Sequence, residues 1–109
     1  MSPSTERLAK NQALFREVNE RIKEISESRG FVEFLCECSN TDCRESLAVR
    51  PDEYDQVRAH STRFLVAPGH LTPEVETVVD DVQGRFLVVE KTTEREFMAE
   101  TDPRTRDEV

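Results

Sequence analysis

The sequence is short of glycine, of aromatic rings and of apolar residues in general. Its 109 residues include three glycines, two histidines, one tyrosine and no tryptophan. So little glycine argues against a phosphate-cradling loop or a backbone-lined active site. No H-E-x-x-H, no G-x-S-x-G and no H-x-E with P-C-x-x-C is present either, which removes the motif support for metalloprotease, serine hydrolase or deaminase chemistry. Hydrophobic residues make up 36%. Even with glycine added, that is below the roughly 45–50% of an average globular domain. A core this lean leaves little surplus stability and predicts a staple, in the form of a metal, a partner or a dimer contact. Long apolar runs are missing as well. None approaches the roughly 18–20 residues of a membrane span, and the stretch from Met1 to Gln12 lacks the apolar centre of a signal peptide. The expectation is a soluble, cytoplasmic chain, of a length that suits one domain of roughly 100–150 residues.

Positive charge is also scarce. There are 15 basic against 23 acidic side chains, for a net charge of -8, and the imbalance is uneven. Residues 1–30 carry six basic and five acidic groups, whereas residues 31–109 carry nine and eighteen. Such a surface repels nucleic acid, and no basic stripe with interleaved aromatics overcomes it. An acidic surface keeps a small protein soluble. If it also meets a partner, a protein with a basic surface is the expected one.

Along the chain, residues 5 to about 28 read as one helix. Ser2, Pro3 and Ser4 supply start signals, and Gly30 supplies the stop. Leu8, Phe15 and Ile22 recur every seven residues, and Asn11, Val18 and Ile25 follow three later, with Leu14 beside them. This is an a/d seam with one polar member, Asn11. The seam is expected to pack on its own domain. A homodimer through Leu8, Phe15, Val18, Ile22 and Ile25 is the alternative. From Phe31 the period changes to alternation. Val32, Phe34, Cys36 and Cys38 are expected on one strand face and Glu33 and Glu37 on the other. A turn over residues 39–42 and a return strand at Ser46–Val49 complete a hairpin. A short helix is expected from Pro51 to Ala59, then a buried strand over Phe64–Ala67 broken by Pro68-Gly69. Residues 73–83 fit either a helix or a strand, and the reading taken is a hairpin turning near Asp81–Gly84 into the strand Phe86–Val89. Thr93–Glu100 forms a last short helix and residues 101–109 a flexible tail. The fold class is α+β: a long N-terminal helix (1–30) before a small antiparallel β domain (31–100) with one or two short helices and a zinc-knuckle-like hairpin.

One constellation carries chemistry. Cys36-x-Cys38-x4-Cys43 places three thiols within eight residues of a chain that has no other cysteine. Alternate strand residues share a face, and the turn returns Cys43 toward them, the local convergence that a tetrahedral Zn²⁺ requires. An odd thiol count in a reducing compartment favours metal chemistry over disulfides. The fourth ligand is a histidine. His70 follows a tight Pro68-Gly69 turn and is preferred. His60 ends the short helix, where it can serve as a C-terminal cap, and is the alternative, with water as a third option. Arg44 beside Cys43 offsets part of the thiolate charge, and Glu37 and Asp42 oppose it.

These segments resemble a group of small acidic actinobacterial proteins of unknown function. The resemblance is carried by Phe34-Leu-Cys-Glu-Cys38 with Cys43, by Arg63-Phe-Leu-Val-Ala-Pro-Gly-His70, by Arg85-Phe-Leu-Val-Val-Glu-Lys91 and by Asn11-Gln-Ala-Leu-Phe-Arg-Glu-Val-Asn19. It spans about residues 5–103. It implies that Cys36, Cys38, Cys43 and His70 belong together, and it implies no activity. The function expected is that of a small zinc-binding regulatory or protein-interaction module with a structural Cys3His site. A thiol redox sensor that releases zinc on oxidation is the alternative, and a small zinc-dependent enzyme a more remote one.

Overall fold

The structure, a computed structural model, describes residues 5–26, 30–40 and 42–106. Helix α1 (Thr5–Ile25) comes first. The start signals at residues 2–4 and the expected last turn at 27–28 lie outside the described residues. The helix packs on its own domain, with Ile22 of the seam against the core, but its fully buried positions lie outside the seam. Its buried residues are Ala9, Gln12, Arg16, Asn19 and Glu20, while Leu14 is 59% and Ile25 74% exposed and Val18 is exposed as well. Leu8, Phe15 and Ile22 are half-buried.

The reason lies in hydrogen bonding. The polar stripe 12-16-19 meets ends of backbone that would otherwise be orphaned, and a buried donor or acceptor without a partner is costly. Asn19 pairs with both the N–H and the C=O of Leu35, at 2.8 and 2.9 Å. Arg16 donates to the carbonyls of Ser61 and Met98 at 2.6 and 2.8 Å and lies 4.9 Å from the centre of the Phe64 ring. Asn11, the polar member of the seam, donates to the Ser39 carbonyl at 2.8 Å.

Strand β1 (Val32–Leu35) pairs antiparallel with β2 (Ser46–Val49), Val32 opposite Val49 and Leu35 opposite Ser46. Helix α2 (Pro51–Arg58) follows. Proline occupies its first turn, and the Glu53 carboxylate accepts the Arg50 N–H at 2.9 Å. A second sheet has the order β3 (Arg63–Val66), β5 (Phe86–Lys91), β4 (Glu76–Val82), all antiparallel. The ambiguous stretch is therefore a strand, and its hairpin turns through Gln83 and Gly84, at φ 56° and 71°. These two left-handed residues are the central pair of a turn that the Arg85 N–H closes on the Val82 carbonyl at 3.0 Å, and they match the right-handed twist of the flanking strands. Helices α3 (Arg95–Glu100) and α4 (Pro103–Arg106) end the described chain.

The core runs from Ala9 of α1 through Phe34, Leu47 and Val49 of the first hairpin to Tyr54 and Val57 of α2. It continues through Phe64–Ala67, Phe86, Val88 and Val89 to Met98. Phe34 and Tyr54 stack at 4.5 Å between centroids.

Two expectations are corrected. Glu37 does not share an outward face with Glu33: it is fully buried, because the chain leaves the first hairpin after Cys36 and crosses to β3, where the Glu37 N–H donates to the Leu65 carbonyl at 2.8 Å. Nor are residues 101–106 a free tail. Asp102 is buried against Arg58, and Arg104 bridges Glu20 and Asp55 at 2.6 and 2.8 Å. Arg58 also donates to Glu20 at 3.1 Å. A buried guanidinium needs carboxylate partners, and Asp102 is one of the two that Arg58 has. Residues 107–109 lie outside the described part.

Candidate metal centre

The ligand atoms of Cys36, Cys38, Cys43 and His70 lie within 4.8 Å of one another. Each arrives by a different device. Cys36 sits one residue beyond β1, its N–H still bonded to the Glu45 carbonyl at 3.0 Å. Cys38 follows after the crossing residue Glu37. The turn returns Cys43, whose N–H donates to the Asn40 carbonyl at 3.1 Å; Thr41 within it lies outside the described residues. His70 closes a four-residue turn, its N–H bonded to the Ala67 carbonyl at 3.0 Å. Proline second and glycine third, with Gly69 at φ 88°, is the type II pattern, which requires a left-handed residue at the third position. The Ala67 N–H donates to the Cys36 sulfur at 3.1 Å. One turn thus bonds the first thiol with its opening residue and supplies the imidazole with its last.

His60 is exposed at the end of α2 and is not among the clustered groups. Of the two candidate histidines, the fold brings His70 to the thiols.

The His70 Nδ1 atom lies 3.5 Å from the sulfurs of both Cys36 and Cys43. A ring nitrogen has one proton or one lone pair, so it cannot make a well-directed hydrogen bond to both at once. A cation at the centre of the four atoms would be bonded by all of them. The Ala67 N–H bond to the Cys36 sulfur favours that thiolate, and the Cys38 thiol lies within donating distance of the Asn40 carbonyl, at 3.9 Å. Without a metal, the Cys36 thiol donates to Cys38. That bond pushes the Cys38 pKa down to about 5 and, with burial, pushes Cys36 up. Burial raises Cys43. Cys36 and Cys38 are buried, while Cys43 and His70 are partly exposed. Arg44 donates to the Cys43 carbonyl at 3.1 Å, which places its cation beside the cluster. The four residues are positioned to bind a metal ion.

Sequence reasoning missed the brace behind the site. Between two of the thiols, the Glu37 carboxylate accepts Asn19 Nδ2 at 2.9 Å and the Leu65 N–H at 3.1 Å, and its carbonyl accepts Gln12 Nε2 at 3.3 Å. Burial pushes its pKa up, and the bonds from Asn19 and Leu65 oppose that. Gln12 in turn donates to Glu76 at 2.9 Å, and Glu76 accepts the Thr72 N–H at 3.0 Å, just past His70. The available signal was the spacing of Gln12, Arg16 and Asn19, which is as helical as that of the apolar seam.

No family model matches the chain, and neither a curated protein nor a solved structure matches it. No helix among the described residues is long and apolar enough to cross a membrane.

Proposed function

We propose that the protein is a small zinc-binding module in which Cys36, Cys38, Cys43 and His70 hold one structural Zn²⁺, and that it acts in the cytoplasm by contacting other proteins. The observation that carries this reading is the position of His70 Nδ1, 3.5 Å from two sulfurs. Tetrahedral zinc with Zn–S bonds of about 2.3 Å and a Zn–N bond of about 2.0–2.1 Å requires a sulfur–nitrogen edge of about 3.5–3.6 Å. Three thiolates and one imidazole suit zinc by softness and geometry, and they fall one thiolate short of the four that usually hold an iron–sulfur cluster. With four protein ligands the shell is closed, which favours a structural over a catalytic ion. The ion would join the first hairpin to the β3 turn, two segments separated by α2.

Metal analysis of protein purified without added metal should find one zinc per chain. Chelation should abolish the cooperative thermal transition, because binding a structural zinc contributes on the order of 10 kcal/mol to folding, as much as the whole stability of an ordinary domain. Cys36→Ser and His70→Ala should each lose the metal, while His60→Ala should keep it. An unchanged transition in demonstrably metal-free protein refutes the reading. Thiol redox sensing is the second reading, and the low pKa of Cys38 in the metal-free cluster favours it. It requires loss of two hydrogens per chain on mild oxidation, coupled to release of the ion.

A further inference from the structure

We propose that the free edge of the second sheet, strand β4 with the groove beside it, is a docking site for an extended, lysine- or arginine-bearing apolar segment of a partner protein, bound as an added strand. The site is separate from the metal centre. β4 pairs with β5 along one side and with no described strand along the other. From Thr77 to Asp81 every residue is exposed, including Val78 and Val79 at 44% each. Helix α2 packs against β3. Between α2 and the sheet lies a groove of about 270 Å³, with Val57, Val79 and Val88 in its lining beside Glu53, Gln56 and Asp80. An edge with unpaired backbone groups next to a groove of mixed apolar and acidic lining suits strand addition, where the backbone supplies affinity and pockets read alternate side chains.

Charge selects the occupant. Glu74, Asp80 and Asp81 are exposed along this edge, and none of them has an ion-pair partner among the described residues. The cation lining the groove, Arg63, is already paired with Glu90 at 2.9 Å. A second copy would bring the same three carboxylates against their equivalents, and like charges facing one another oppose self-pairing of sheet edges. The same carboxylates attract a cationic strand.

The test is a titration of the intact, metal-loaded protein with a ten-residue peptide alternating lysine and valine, followed by backbone amide and methyl NMR. A peptide alternating glutamate and valine serves as control. Saturable shifts confined to Glu76–Val82 and to the methyls of Val57, Val79 and Val88 are expected with the lysine peptide alone. The paired substitution Glu74→Lys with Asp80→Lys changes exposed side chains, and an unchanged amide spectrum will show that the fold is kept. It should weaken binding at least tenfold. No saturable shift, equal binding of the glutamate peptide, shifts centred on α1, or concentration-dependent shifts of the β4 amides without peptide would each overturn the proposal.

Discussion

Single residues decide whether the four ligand atoms meet. Gly69 is the clearest case, since φ 88° is open to glycine and strained for a residue with a side chain. Open space surrounds the position where its Cβ would be, so the penalty of Gly69→Ala is purely one of backbone conformation. The substitution should cost about 1 kcal/mol of stability, and it should weaken metal binding through the displaced imidazole. A competition titration against a chromogenic chelator reads the second effect. A full-strength site in Gly69→Ala would show that His70 is not held by this turn. The cysteine spacing and the Pro-Gly-His turn were legible as residues, because both depend on neighbours in the chain. The role of Glu37 was not, because it arises from a crossing between two sheets that brings Asn19 and Leu65 to its carboxylate.

At the scale of elements, α1 shows how periodicity can be correct and still indicate the wrong face. The helix forms where its pattern predicts, but burial follows hydrogen-bond demand, so Gln12, Arg16 and Asn19 face inward and Leu14, Val18 and Ile25 face out. Arg16→Met should therefore be costly despite its apolar replacement. It leaves the carbonyls of Ser61 and Met98 without their donor, at about 1–3 kcal/mol for each orphaned group. Leu14→Ser, on the exposed side, should stay within about 0.5 kcal/mol of the parent. Urea unfolding midpoints of the two variants distinguish this order from the reverse, which a buried apolar seam would give. The β4–β5 hairpin illustrates a different conflict. The valine-rich stretch 75–82 fits both periods, and pairing with β5 makes Glu76–Val82 the strand that propensity alone left open.

The whole molecule is held together by ion pairs and polar networks to an extent that its lean apolar content anticipates. Glu53 joins α2 to the start of β5 through Arg85, with 2.7 and 3.2 Å contacts, and that hydrogen-bonded pair holds its carboxyl below the usual value of 4.5. A depressed pKa means that the folded state favours the carboxylate. The contribution is therefore complete above about pH 4.5 and is lost as the pH falls through the folded value. Glu53→Gln should be less stable than the parent at pH 7, where the carboxylate is ionised and paired with Arg85, and a lower urea midpoint of the metal-loaded variant checks this. The sequence alone determined the α+β class, the first hairpin and the identity of the clustered thiols. All of these follow from periods, turns and spacings within a few residues. Tertiary structure decided which histidine joins the thiols, which face of α1 is buried, and that Asp102 and Arg104 anchor the chain end rather than fray. Each of those depends on groups between 18 and 84 positions apart, whose pairing is chosen by the cost of burying a charge or a backbone group without a partner.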